Sequence, residues 1–245
     1  MKKVILLHKK EGETPLEALE VFRSKHKAYS NVPLTYAGRL DPMVTGLLLI
    51  IAGDETKNKQ KYLNLSKEYK FDILFGFATD TYDILGKVIS SKVLTNIRMK
   101  KELEKRIQDN LRYFTGKFKQ KYPLYSSKTI KQTRAGEKVK ASEHMVEVTS
   151  LKFFGLKTIS AKKLFKNIER RVAKVKGDFR QKEILKIWRE NLSQLKDQFL
   201  IGSFYVKCGS GMYVRVLTND LGKRIKISTL AYSIKRTKIG KWGKM

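Results

Sequence analysis

Tyr36-Ala37-Gly38-Arg39-Leu40-Asp41-Pro42-Met43-Val44-Thr45-Gly46 sets a single carboxylate, Asp41, on a turn between small residues and an apolar run. Pro42 fixes its own φ and steers Asp41 away from the helical region. Gly38 and Gly46 let the backbone pass close to another element. A chain built this way presents an acid at a fixed point. An Asp-Pro step alone is an ordinary turn former, so the meaning of Asp41 depends on its surroundings.

Upstream, residues 4–7 read as a short buried strand. Thr14-Pro15-Leu16-Glu17 is a capping box with proline at the first helical position, and Leu16, Leu19 and Phe22 carry a helix to about His26. Residues 27–45 are then a long connection that contains the Asp41 turn. Residues 47–52 form an apolar run, a strand or helix buried on both sides. A short Lys-rich helix is expected at about 54–63. Tyr69, Phe71, Ile73, Phe75 and Phe77 alternate with Lys70, Asp72, Leu74 and Gly76, the clearest period-two strand in the chain. Residues 79–86 turn the chain and 87–91 return as a strand.

Leu103, Ile107, Leu111 and Phe114 mark a helix closed by Gly116. Residues 117–142 read as a basic loop or hairpin arm, and Val146, Val148, Leu151 and Phe153 as a strand. Residues 157–199 change texture. Leu164, Ile168 and Val172 give one amphipathic helix, Gly177-Asp178 breaks it, and Ile184, Trp188, Leu192, Leu195 and Phe199 give a second. This is a basic helical hairpin inserted into the main fold. Residues 204–208 form a strand and 212–221 a helix stopped by Gly222. Mixed elements without regular βαβ alternation predict an α+β fold, here one catalytic domain over 1–245.

Charge sets the partner class. The chain of 245 residues has 53 Lys and Arg against 23 Asp and Glu, a net charge of +30. Such a surface associates with polyanions, nucleic acid first and an anionic membrane surface second. Residues 115–140 hold eight basic residues and one acid, 157–199 thirteen and five, and 221–245 eight and none. Three separated basic regions can meet on one face after folding. Cys208 is the only cysteine, which forbids an intrachain disulfide and fits a reducing cytoplasm. No stretch approaches the ~20 apolar residues of a membrane helix. The histidines His8, His26 and His144 are scattered, with no metal-ligand spacing.

The block Gly38-Arg39-Leu40-Asp41-Pro42-x-x-Thr45-Gly46 resembles the signature of the TruB family of pseudouridine synthases. Other blocks of that family follow in order. They are Lys67-Glu68-Tyr69-Lys70-Phe71, Gly76-Phe77-Ala78-Thr79-Asp80-Thr81-Tyr82-Asp83 with Gly86, and Tyr122-Pro123-Leu124-Tyr125-Ser126-Ser127-Lys128 with Ala135-Gly136-Glu137. The last is Gly211-Met212-Tyr213-Val214-Arg215 with Asp220-Leu221-Gly222. Together they cover roughly residues 36–92, 113–153 and 203–240.

The resemblance implies a pseudouridine synthase fold, with a central, mostly antiparallel mixed sheet flanked by helices and loops. It implies isomerisation of a uridine within RNA, most simply the T-loop uridine of tRNA. No redox step or group donor takes part, so no cofactor and no metal are expected. Asp41 is then the catalytic carboxylate, acting on the sugar, on the base or on a ribose proton. Arg215 is its ion partner, and Tyr69 stacks on the flipped base or relays a proton. Tyr36 stands where the family usually carries histidine and is the candidate wedge for base flipping. Arg39 joins the substrate-binding set. Asp80 hydrogen-bonds the flipped region or holds an Asx turn. Lys128, Arg134 and Lys138 in the arm, and Lys235 and Arg236 near the end, contact phosphates. Ile234 walls the pocket. The match around Lys9 is weaker, with Lys9-Lys10 in place of the usual Lys-Pro.

Two departures bear on partners. The 157–199 hairpin is extra relative to the compact bacterial form, and no C-terminal accessory RNA-binding domain is expected, a role the basic hairpin would fill. The resemblance implies the T-arm of tRNA as the partner, met by a monomer without an obligatory protein partner or membrane. A synthase for another RNA, and a catalytically silent RNA-binding or RNA-folding protein, are the competing readings. A membrane-surface protein accounts for the charge but for none of the motifs.

Overall fold

Period-two burial builds the centre of the molecule. The computed structural model describes residues 1–91, 97–123, 125, 142–193 and 198–243, with the backbone alone at 97–99. Strand β4 (Lys67–Phe75) buries Lys67, Tyr69, Phe71 and Ile73 on one face, as alternation requires. Leu74 and Phe75 are both buried because the sheet is covered on both sides at that end.

Before β4 come β1 (Val4–Lys9), α1 (Pro15–Lys25), β2 (Leu34–Ala37), β3 (Val44–Ala52) and the short α2 (Lys59–Leu63). After it come β5 (Phe77–Thr79), β6 (Val88–Ser91), α3 (Ile97–Leu111), β7 (Gly116–Lys121) and the long β8 (Glu143–Ser160). Next are α4 (Ala161–Val172), α5 (Gln181–Leu192), β9 (Gln198–Cys208), α6 (Val214–Ile225), β10 (Thr229–Ile239) and β11 (Trp242–Gly243). The main sheet runs β1-β3-β10-β4-β9-β8-β7, with β2 on β3 and β11 on β10, while β5 and β6 pair separately. Among these ladders only β3–β10 is parallel. The fold is α+β with a mixed, mostly antiparallel sheet.

One sheet face carries α3 and α6, whose Leu103, Ile107, Leu217 and Leu221 pack on Phe71, Phe204, Val206 and neighbouring side chains. The other carries the α4–α5 hairpin. Its Leu164, Ile168, Ile184 and Trp188 pack with Leu74, Phe199, Ile201 and Leu230. The Trp188 ring is fully buried 5.1 Å from that of Phe77, which lies 5.0 Å from Phe199.

Four boundaries differ from the sequence reading. The connection 27–45 contains β2, a strand too short to show alternation, whose pairing with β3 brings Ala37 opposite Leu49. The segment 54–63 is a 3-10 turn over Gly53–Asn58 followed by the single-turn α2. The hairpin helices start at Ala161, because 157–160 still belong to β8, and Phe199 belongs to β9 opposite Ile159. Its spacing from Leu192 mimics a helical repeat, but the ladder claims it. Gly222 lies inside α6. A Cβ there would sit 2.1 Å from Thr229 Oγ1, so the glycine lets the helix approach β10. The helix ends instead at Lys226, in the left-handed conformation.

If the hairpin core is continuous with the sheet, Trp188→Ala should lower unfolding free energy by roughly 3–5 kcal/mol in urea titration. A loss under about 1 kcal/mol would show that the hairpin is only loosely attached.

Candidate active site

Two buried cations fix the backbone of the Asp41 turn. Lys9 ends β1 on its inward face, and its Nζ donates to the carbonyls of Glu13 (2.6 Å), Lys10 (2.8 Å) and Pro42 (3.3 Å). The Gly12 amide donates to the same Pro42 carbonyl at 2.9 Å. Arg236 on β10 donates from Nε to Leu47 O at 2.7 Å and from Nη2 to Gly38 O at 3.1 Å. The turn between them is closed by the Val44 amide on Asp41 O at 3.0 Å. Parallel pairing sets Arg236 beside Gly46 and Ile234 beside Val44. A Cβ on Gly46 would fall 2.2 Å from Arg236 O, and its φ is +107°, so the close approach needs glycine.

The carboxylate is held by Arg215, in the first turn of α6. Its Nε donates to Asp41 Oδ2 at 2.8 Å, Nη1 to Thr81 O at 2.9 Å and Nη2 to Tyr125 O at 2.9 Å. One guanidinium therefore ties together three segments far apart in the chain. Arg215 is 4% exposed in its side chain and Asp41 36%, so the pair is anchored from below and open from above. Burial opposes the Arg215 charge, but Asp41 and Asp83 outweigh it and hold the guanidinium above its usual range. The Gln120 side chain fixes the helix entry. It accepts from the Tyr213 amide (2.8 Å) and donates to the Tyr213 carbonyl (3.2 Å).

Asp41 opens onto a cleft of about 730 Å³. Tyr69 and Ile234 form apolar wall, and Arg39, Lys67 and Arg236 bring positive charge. Burial raises the Tyr69 phenol above its ordinary value, with Arg236 pulling the other way, so the ring stays neutral. Burial pushes Lys67 down to about 8, with Arg236 adding to the effect, while its Nζ donates to Leu63 O at 2.5 Å. Burial likewise brings Lys9 down to about 8 against the carboxylates of Glu13 and Asp41. Asp83 is buried behind Arg215. Its Oδ1 accepts from Thr81 Oγ1 (2.8 Å) and the Leu85 amide (3.0 Å). Burial raises its carboxyl above the usual range, although Arg215 acts to lower it.

Asp41, Tyr69, Arg215, Arg39 and Ile234 thus converge on one cleft. Lys235 is exposed on β10, as a phosphate contact requires. One expectation changes. Arg236 is buried, because alternation along β10 turns it inward with Ile234, and its guanidinium is spent on the turn backbone. It is a cleft residue and not an outward phosphate contact. Tyr36 is outside the cleft wall. Its ring packs against the cluster of Ala18, Leu19, Leu48 and Ile50, with Lys59 Nζ 5.5 Å from its centroid. Asp80 accepts from the Lys87 amide through Oδ1 (2.9 Å) and pairs through Oδ2 with Arg180 (2.7 Å), so its carboxylate serves the turn and the hairpin. Lys128, Arg134 and Lys138 lie outside the described residues.

Lys9, Lys67 and Asp83 were not assigned a role from sequence. For the lysines a signal existed. Lys9 continues the inward register of Ile5 and Leu7, and Lys67 that of Tyr69 and Phe71. Cations on the apolar register of a strand are either errors of register or buried ligands of carbonyls.

Known proteins resemble this chain in sequence and in fold. A family model described as TruB family pseudouridylate synthase (N terminal domain) matches residues 26–179. The tRNA pseudouridine synthase B of Endomicrobium trichonymphae is 31% identical over 237 residues, covering 96% of this chain and 84% of that protein. The tRNA pseudouridine synthase B of Aquifex aeolicus is 29% identical over 238 residues, covering 96% and 67%. Among solved structures, a chain of a Cbf5-Nop10-Gar1 complex superposes with a TM-score of 0.58 at 17% identity. It covers 99% of this chain, which spans half the length of the solved one, and at that identity the likeness is one of fold.

Arg215→Met should lower unfolding free energy by about 3–5 kcal/mol, because Asp41 and Asp83 lose their counter-charge. Arg215→Lys keeps the charge but not the planar three-way grip, and should cost about 1–3 kcal/mol. Urea unfolding of the two variants at pH 7 checks the order. Equal losses would mean that geometry, and not charge, sets the stability of the pair.

Proposed function

The chain belongs to the TruB family of pseudouridylate synthases, and from that membership we propose that it converts the T-loop uridine of tRNA to pseudouridine at the Asp41 cleft. The observation that carries the assignment of the site is the Asp41–Arg215 pair at 2.8 Å, buried on the arginine side and open to the cleft on the carboxylate side.

The reaction breaks the bond from N1 of uracil to the ribose and makes one from C5 to the same carbon. C5 loses a proton and N1 gains one, so the balance closes within the nucleotide. What the protein must supply is a fixed carboxylate, a dry wall and a place for a base taken out of its stack. Asp41 supplies the first. Arg215 holds one of its oxygens and keeps it aimed, which serves equally for attack on the sugar, attack on the base or removal of a ribose proton. Tyr69 and Ile234 supply the wall. A neutral Tyr69 phenol can stack on uracil and pass a proton to or from it. Exposed Arg39 meets a phosphate at the rim of the cleft, and Lys235, exposed on the other face of β10, meets phosphate away from it.

The partner in this reading is the T-arm of tRNA, and the +30 charge supports association with it. The reading extends to a monomer at work in the cytoplasm, in keeping with a single buried cysteine, Cys208. No helix among the described residues is long and apolar enough to cross a membrane.

The test is pseudouridine formation in an unmodified tRNA transcript, mapped by position for the wild type and Asp41→Asn. The wild type should modify the T-loop uridine, and the variant should be slower by roughly 10²–10⁴-fold or more while still binding the transcript. Product at another position would redirect the substrate. Full activity in Asp41→Asn would remove the carboxylate from the mechanism.

A further inference from the structure

The turn joining α4 to α5 reaches the cleft that holds Asp41, and Phe179 in that turn is part of the cleft wall. The turn is fixed internally by one side chain. Gln181 accepts from the Phe179 amide through Oε1 (2.8 Å) and donates through Nε2 to Val175 O (3.0 Å) and Gly177 O (2.7 Å). Arg180 has a φ of +64°, a left-handed conformation uncommon outside glycine, and its amide donates to Asp178 Oδ1 at 3.0 Å. In that conformation its guanidinium reaches Asp80 at 2.7 Å and lies 4.8 Å from the Tyr125 ring. A second anchor lies at the end of α4, where Arg171 donates to Glu11 at 2.8 Å beside the Gly12–Pro42 contact. The hairpin tip is therefore bolted to segments on which the Asp41 turn and Arg215 also rest.

Phe179 is half-buried, with part of its ring against the hairpin core and part in the cleft. The remaining wall brings cations, Arg39, Lys67 and Arg236. An aromatic face in a cleft that also carries positive charge is the combination that receives unstacked nucleic-acid bases. We propose that Phe179 stacks on a nucleobase of the bound RNA, next to the nucleotide that enters the Asp41 cleft, so that the hairpin tip is part of the substrate site. This rests on the reading of the cleft as an RNA-modifying site. It gives the 161–192 hairpin a role beyond bulk charge, since a stacking contact does not depend on salt as phosphate contacts do.

The experiment measures binding of an RNA stem-loop of T-arm sequence to the full chain by fluorescence anisotropy at several salt concentrations. It compares the wild type with Phe179→Leu, Phe179→Ala and Phe179→Tyr. Leucine keeps the apolar contact with the hairpin core but has no π-face. Phe179→Leu and Phe179→Ala should bind roughly tenfold more weakly with an unchanged salt slope, and Phe179→Tyr should bind as the wild type. Melting midpoints identify any variant that fails to fold. Wild-type affinity in a folded Phe179→Leu protein would overturn the proposal, as would a loss confined to Phe179→Ala with a lowered midpoint, which marks a packing residue. Pseudouridine in the same stem-loop is assayed separately with the wild type. Its absence would count against the catalytic reading, while the binding comparison still decides the role of Phe179.

Discussion

The bond from Arg215 to Asp41 is the constraint on which the site depends. Burying a guanidinium costs several kcal/mol, and only good geometry with each of its nitrogens engaged offsets that cost. Arg215 meets the condition by reaching Asp41, Thr81 O and Tyr125 O at once, all within 2.9 Å. The turn, the strap after β5 and Tyr125 must therefore all be in place before the arginine is satisfied. A carboxylate so held is immobile yet still open to a substrate, as chemistry at a fixed point requires.

The sheet explains how such distant pieces meet. Parallel pairing of β10 with β3 lays Ile234 and Arg236 along the strand that leaves the Asp41 turn. Antiparallel pairing of β10 with β4 brings Tyr69 opposite Arg236. One strand thus supplies a wall residue, the backbone anchor and the neighbour of the aromatic wall residue Tyr69. Gly46 permits the close contact. The long β8 and β9 then project the α4–α5 hairpin over the opposite sheet face, and its tip returns to the cleft through Phe179 and Arg180.

Much of this was legible in the residues. The capping box at Thr14 and Glu17 forms as its spacing implies, and β4 follows its alternation. The ordered motifs led to the α+β fold and to Asp41, Tyr69 and Arg215 in one place. What escaped was governed by distant pairing. Nothing local marks 34–37 as a strand until β3 lies beside it. Gly222 reads as a helix stop, although its reason is Thr229 on the next strand. Arg236 reads as a surface cation in a basic tail, and only the register of β10 turns it inward. Arg180 and Phe179 carry no signal at all, since their partners are a hundred residues away or in the cleft itself.

The central claim is that the Asp41 cleft takes up a uridine lifted out of its stack. A crystal structure of the Asp41→Asn chain bound to a T-arm stem-loop tests it most directly. The account expects the uracil ring against Tyr69 and Ile234, with its ribose beside residue 41 and Arg215 still bound to Thr81 O. A stem-loop bound elsewhere on the basic surface, with the target uridine stacked and the cleft unoccupied by RNA, would contradict it.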